Sequence, residues 1–241
     1  DAEEQGPGEP LEEARQYSAV MASASDQRPL SEPSKKEWKA RFAQPQSPAS
    51  LKALVSELHK LVGDHFVTDT AMTWAREAHV SGRFASAIGA SSAWIEDRPD
   101  LGVEMPNGTK EFYEITEVIE PGRRRNDEYR EDRVRKSAGK DVLRTYQPDN
   151  VLSTRSALKH AADKKAKKVG NYGTDGCGLV IYLNTDLMVF DEVADELEAS
   201  LRNDTEVAGS VFNDVWVLWS DGLYHVWSGG NAVPLSPKLG V

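Results

Sequence analysis

The sequence predicts an α/β fold, a mixed sheet flanked by helices, and three observations carry that reading. Leu51, Leu54, Val55, Leu58, Leu61 and Val62 recur at three- and four-residue steps, the period of an amphipathic helix. Residues 100–105 and 110–118 flank Pro106-Asn107-Gly108, a turn that joins antiparallel strands. Leu179 to Leu183 is a near-continuous apolar run, the pattern of a strand buried on both faces.

The elements follow in order. Residues 1–46 are rich in Glu, Pro, Ser and Gln and read as an N-terminal extended or partly disordered arm; 47–241 reads as a single domain. Ser47-Pro48 opens the first helix and Gly63 stops it. A second helix spans about Asp69 to Ile88, with Trp74, Ala78, Ser81, Ala85 and Ile88 inward and Glu77 at the stripe's edge. Ala93 to Glu96 is a short strand or its approach, followed by the two strands of the hairpin. Pro121-Gly122 ends the second of these. Asn126 to Tyr146 and Thr154 to Val169 read as charged and basic helices, and Gly170 to Gly178 as a connecting loop that lacks the lysine and hydroxyl of a phosphate-binding P-loop. After the buried strand come an acidic helix from Val189 to Leu201 and a hairpin, Val215 to Trp219 and Tyr224 to Trp227, turned at Asp221-Gly222. That helix and aromatic hairpin, 188–228, follow a core of about 69–184.

The turn sets the register of the first hairpin. With Pro106 first, Asn107 second and Gly108 left-handed, Met105 faces Thr109, Glu104 faces Lys110, Gly102 faces Phe112 and Asp100 faces Glu114. Opposed residues share a sheet face, so the two carboxylates stand together, and the Glu104/Lys110 charge match favours this pairing. A two-residue Asn107-Gly108 turn would split them between faces, but it would place Pro106, without an N–H, on the ladder. Leu101, Val103, Tyr113 and Ile115 then form the core face, and Glu111 and Glu117 interrupt the alternation.

Composition narrows the class. The chain of 241 residues carries a net charge of −10 and has no apolar run near the roughly 20 residues of a membrane span. One cysteine, Cys177, excludes an internal disulfide and a cysteine-rich zinc site, and a reducing, cytoplasmic setting is expected. Charge is uneven: residues 123–168 hold 15 Lys+Arg against 7 Asp+Glu, a local +8 against −18 elsewhere. A basic segment beside paired carboxylates suits a phosphate backbone, since neutralised phosphates release counterions; such runs are also ordinary solvated helix faces. The five histidines show no ligand spacing, Cys177 reads as a buried small residue, and Trp216, Trp219, Tyr224 and Trp227 read as core or edge cover before base-stacking.

Pro99-Asp100, Glu114-Ile115-Thr116, and the helix Ala161 to Lys168 leading into Leu179 to Leu183, in this order, resemble the PD-(D/E)XK, or restriction-endonuclease-like, nuclease superfamily over about residues 69–184. The resemblance implies a restriction-endonuclease-like mixed sheet with a central antiparallel hairpin flanked by helices. It implies that Asp100 and Glu114 bind Mg²⁺ (or Mn²⁺), with the Ile115 carbonyl as a third ligand and Glu77 at the place of an auxiliary acid, although Glu77 also reads as a solvated helix-edge residue. Two carboxylates completed by water and phosphate oxygens suit such a hard cation. The implied activity is metal-dependent endonucleolytic hydrolysis of phosphodiester bonds, in DNA before RNA, with Arg123, Arg124, Arg125 and Lys165 on the backbone. One departure stands out: Thr116 replaces the motif lysine and supplies no cation. In this superfamily the lysine can migrate to the following helix, where Lys164 or Lys168 fits. Failing that, the chain is an inactive module of the same fold that binds nucleic acid or a protein. A homodimer, useful for cutting two strands, leaves no mark in the sequence.

Overall fold

The computed structural model describes residues 29–63, 65–119, 131, 151–170, 176–184, 191–219, 222–235 and 238–239. The helices are α1 (Glu32–Phe42), α2 (Pro48–Val62), α3 (His65–Thr68), α4 (Thr73–Ile88), α5 (Val151–Gly170), α6 (Asp191–Asp204) and α7 (Glu206–Gly209). The strands are β1 (Ser92–Ile95), β2 (Leu101–Glu104), β3 (Lys110–Ile119), β4 (Gly178–Asn184), β5 (Asp214–Trp219), β6 (Gly222–Ser228), β7 (Asn231–Ala232) and β8 (Lys238–Leu239). They make one mixed sheet in the order β1-β2-β3-β4-β5-β6-β7, with β8 also on β6. The β3/β4 and β4/β5 pairs are parallel and the others antiparallel.

Helices cover both faces of the sheet. Leu101, Val103, Tyr113, Ile115, Val180 and Trp216 pack under α1, α2 and α4, while Val118, Leu179, Ile181, Val215 and Val217 pack under α5 to α7. The apolar run of β4 is thereby explained, since its successive residues are buried on opposite sides.

The expected register of β2 against β3 is the one observed. Glu104 pairs with Lys110 and Gly102 with Phe112. Gly108 is left-handed at φ 82°, and Met105 N–H donates to Thr109 C=O at 2.8 Å. Gly102 admits no side chain, because a Cβ there would lie 2.3 Å from the Trp94 indole that crosses it.

The N-terminal stretch departs from the expected arm. Residues Glu32–Phe42 form a helix capped by Ser31, whose Oγ accepts from Ser34 N–H. Trp38 and Phe42, one turn apart, enter the first core, and Phe42 lies 5.7 Å from the Trp74 ring. An apolar stripe of so few residues escapes a periodicity search. Phe42 is fully buried, so Phe42→Ala is expected to cost about 3–5 kcal/mol of stability in urea unfolding.

Candidate functional site

β3 outruns its antiparallel partner. It pairs with β2 from Lys110 to Tyr113, whereas it stays paired with β4 through Ile119. Among the described residues no strand lies along the open edge beyond Tyr113. Asp100, the residue before β2, takes up the first vacant donor there: its Oδ2 accepts the Ile115 N–H at 2.8 Å. The N–H and C=O of one strand residue point to the same side, so the Ile115 carbonyl faces this notch as well. Glu96 N–H to Asp100 C=O, at 3.2 Å, holds the turn that delivers Asp100.

Glu114 stands on the face of β3 that α5 covers. The buried stripe of α5 is Leu158, Ala162, Ala166 and Val169, and Lys165 lies beside it, three residues after Ala162 and four before Val169. Its Nζ donates to Asp100 Oδ2 at 2.9 Å and contacts Glu114 Oε2. The three side chains are sheltered, at 13% exposure for Lys165, 16% for Asp100 and 10% for Glu114. Burial disfavours the ammonium, but the charge of Asp100 and the bonds to both carboxylates outweigh it and hold the Lys165 pKa above its ordinary value.

Glu77 reaches the same place from α4. It lines a cavity of about 150 Å³ with Arg76, Ile115, Thr116 and Glu117. Burial, reinforced by the charges of Asp100 and Glu114, pushes its pKa up to about 7 from the ordinary 4.5, with Lys165 and Arg76 opposing. The folded protein therefore holds this proton more tightly than the unfolded chain, so stability falls as pH rises from about 4.5 through 7. Glu77→Gln is expected to melt higher than wild type at pH 8 in EDTA and to gain nothing at pH 4.

Other candidates are placed as follows. The ammonium that meets both carboxylates is Lys165, expected to contact substrate backbone, and not Lys164 or Lys168. Those two are exposed and line a neighbouring cleft with Thr116. The reason is helical phase: Lys164 and Lys168 share a face with one another, while Lys165 shares one with the residues packed on the sheet. Ala162 and Val169 lie three and four residues from Lys165, but Ala157 and Ala161 mark a second small-residue phase of the same helix, so the sequence leaves the buried side of α5 open. Thr116 lines both cavities. Arg123, Arg124 and Arg125 lie outside the described residues, as does the segment 126–146 apart from helical Glu131. Trp216, Trp219 and Tyr224 are buried, and the Trp227 indole donates to Thr205, so this aromatic pair of strands is core.

Among the described residues no group of three or more His, Cys, Asp or Glu is arranged to hold a metal ion. The donor chemistry nonetheless fits a hard divalent cation. Lys165 occupies one oxygen of each carboxylate, Asp100 Oδ2 and Glu114 Oε2. Both acids keep a second oxygen, and a cation would offset their charges, which add to burial in raising Glu77. No protein-family model matches the chain, nor does any curated protein or solved structure. Among the described residues no helix is long and apolar enough to cross a membrane.

Proposed function

We propose that the protein is a metal-dependent endonuclease of the restriction-endonuclease-like kind, hydrolysing phosphodiester bonds in DNA. The observation that carries this reading is the meeting of Asp100, Glu114 and Lys165 at the notch beyond β2, with Glu77 beside them. The strand order, with an antiparallel β2/β3 pair leading into parallel β4, supports it. Lys165 also weighs against the inactive module, because it supplies the cation that Thr116 lacks.

Asp100 and Glu114 would hold Mg²⁺ or Mn²⁺, with the Ile115 carbonyl within the same notch. When bound, the ion supplies a water of lowered pKa and neutralises charge on the phosphate. Lys165 has three N–H donors, of which two are directed at the carboxylates, and the third is free for a phosphate oxygen. It orients the phosphodiester and offsets the charge that grows on it. Glu77, half ionised near pH 7, is suited to accept a proton at that pH.

The test is incubation of supercoiled plasmid DNA, and of structured RNA, with Mg²⁺, Mn²⁺ or EDTA. Nicking that needs the metal is the expected result. A folded protein that cleaves neither polymer under any of these conditions overturns the enzyme and leaves the binding module.

A further inference from the structure

A second feature adjoins the carboxylates. A cleft of about 660 Å³ runs between the C-terminal half of β3 and α5. Its helical wall carries His160, Lys164 and Lys168, one turn apart and all exposed, and Lys165 lines it as well. Small residues of the same helix, Ala157 and Ala161, line it together with Val118 and Ile119 of β3. The acid in the lining, Glu117, accepts from Asn184 Nδ2 at 2.8 Å. The cleft is thus basic along one side and low and apolar at its floor.

We propose that this cleft takes one unpaired strand of nucleic acid, and that the protein therefore prefers single-stranded or frayed segments to closed duplex. The inference rests on the nuclease reading and specifies its substrate. Its volume is that of a pocket for one small organic molecule, which suits a nucleotide or two of a single chain and not two paired backbones. The reacting group is also recessed: Lys165, Asp100 and Glu114 are at most 16% exposed, so a duplex lying across the surface would not bring a phosphate to Lys165. A strand inside the cleft would do so, with its phosphates on the lysines at steps of about 5.4 Å and its bases against the apolar floor.

The experiment is fluorescence anisotropy with labelled 20-nucleotide single-stranded DNA and the matching blunt duplex. Wild-type protein in EDTA is titrated at several salt concentrations beside K164A/K168A, whose substitutions are on exposed positions. We expect the single strand to bind at least tenfold tighter. The double variant is expected to lose about tenfold of that affinity and to lower the salt slope by about 1.4, roughly 0.7 for each phosphate contact removed. Duplex bound as tightly as the single strand, or a double variant indistinguishable from wild type, overturns the proposal while metal-dependent cleavage would keep the nuclease reading. Absence of binding to either form, together with absence of cleavage, overturns both.

Discussion

Glu114→Gln is expected to lower metal-dependent cleavage by about three orders of magnitude or more while the protein stays folded. A carboxylate that holds the ion supports several kcal/mol of transition-state charge stabilisation, and each 1.36 kcal/mol is tenfold in rate. The amide keeps the shape of the side chain and an oxygen that accepts from Lys165, and Lys165 retains its bond to Asp100 Oδ2 at 2.9 Å. Unfolding in urea should therefore move by about 1 kcal/mol or less. The separation of the two readouts is the informative part: cleavage unchanged in this variant would remove Glu114 from the reaction, whereas a large loss of stability would make its role structural. The charge of Glu114 also raises the Glu77 pKa, so the variant should shift the Glu77 titration downward.

Lys165→Met is expected to produce a large loss of stability. Methionine fills a similar volume, but Asp100 and Glu114 are left sheltered and facing one another with Glu77 nearby. Removing one partner of a buried ion pair costs about 3–5 kcal/mol, and for a domain of this size each kcal/mol is about 2–4 °C of Tm. A fall of about 6–20 °C is expected in EDTA at pH 8. The fall should be smaller at pH 5, where Glu77 is protonated and no longer adds its charge to the pair. Mn²⁺ should then raise the Tm of the variant more than that of wild type, because no ammonium competes for the carboxylates. Equal shifts in the two proteins would show that the ion is held elsewhere. Cleavage should be lost in the variant even when Mn²⁺ restores its stability, since no other cation contacts both carboxylates among the described residues.

Local rules made much of this molecule legible. The Pro106-Asn107-Gly108 turn set the β2/β3 register, because only Gly108 suits the left-handed position and Pro106 cannot enter the ladder. That register ends with Leu101 on Tyr113 and so leaves Asp100 next to Glu114 and Ile115, where the Glu96–Asp100 turn and the Ile115 N–H hold it. The helix periods of α2 and α4 and the run of β4 likewise carry most of their burial in their spelling, with Leu61 exposed and Ile88 only half-buried at the helix ends. In contrast, α1 contributes two aromatic residues and little else, so its place in the first core depends on partners distant in the chain, Trp74 of α4 among them. The role of Lys165 depended on which side of α5 meets the sheet, a phase that six lysines and histidines along one helix do not declare.

By itself the sequence determined the α/β class, the carboxylate pair and the basic character of α5, since each follows from neighbours within a turn or a strand pair. Only the tertiary structure decided which lysine meets the carboxylates, that Glu77 crosses from α4 to join them, and that a cleft opens between β3 and α5. These are contacts between elements far apart in the chain, and they are set by how two cores pack against opposite faces of one sheet, where a side chain's partner is chosen by the shape of the whole and not by its own neighbours.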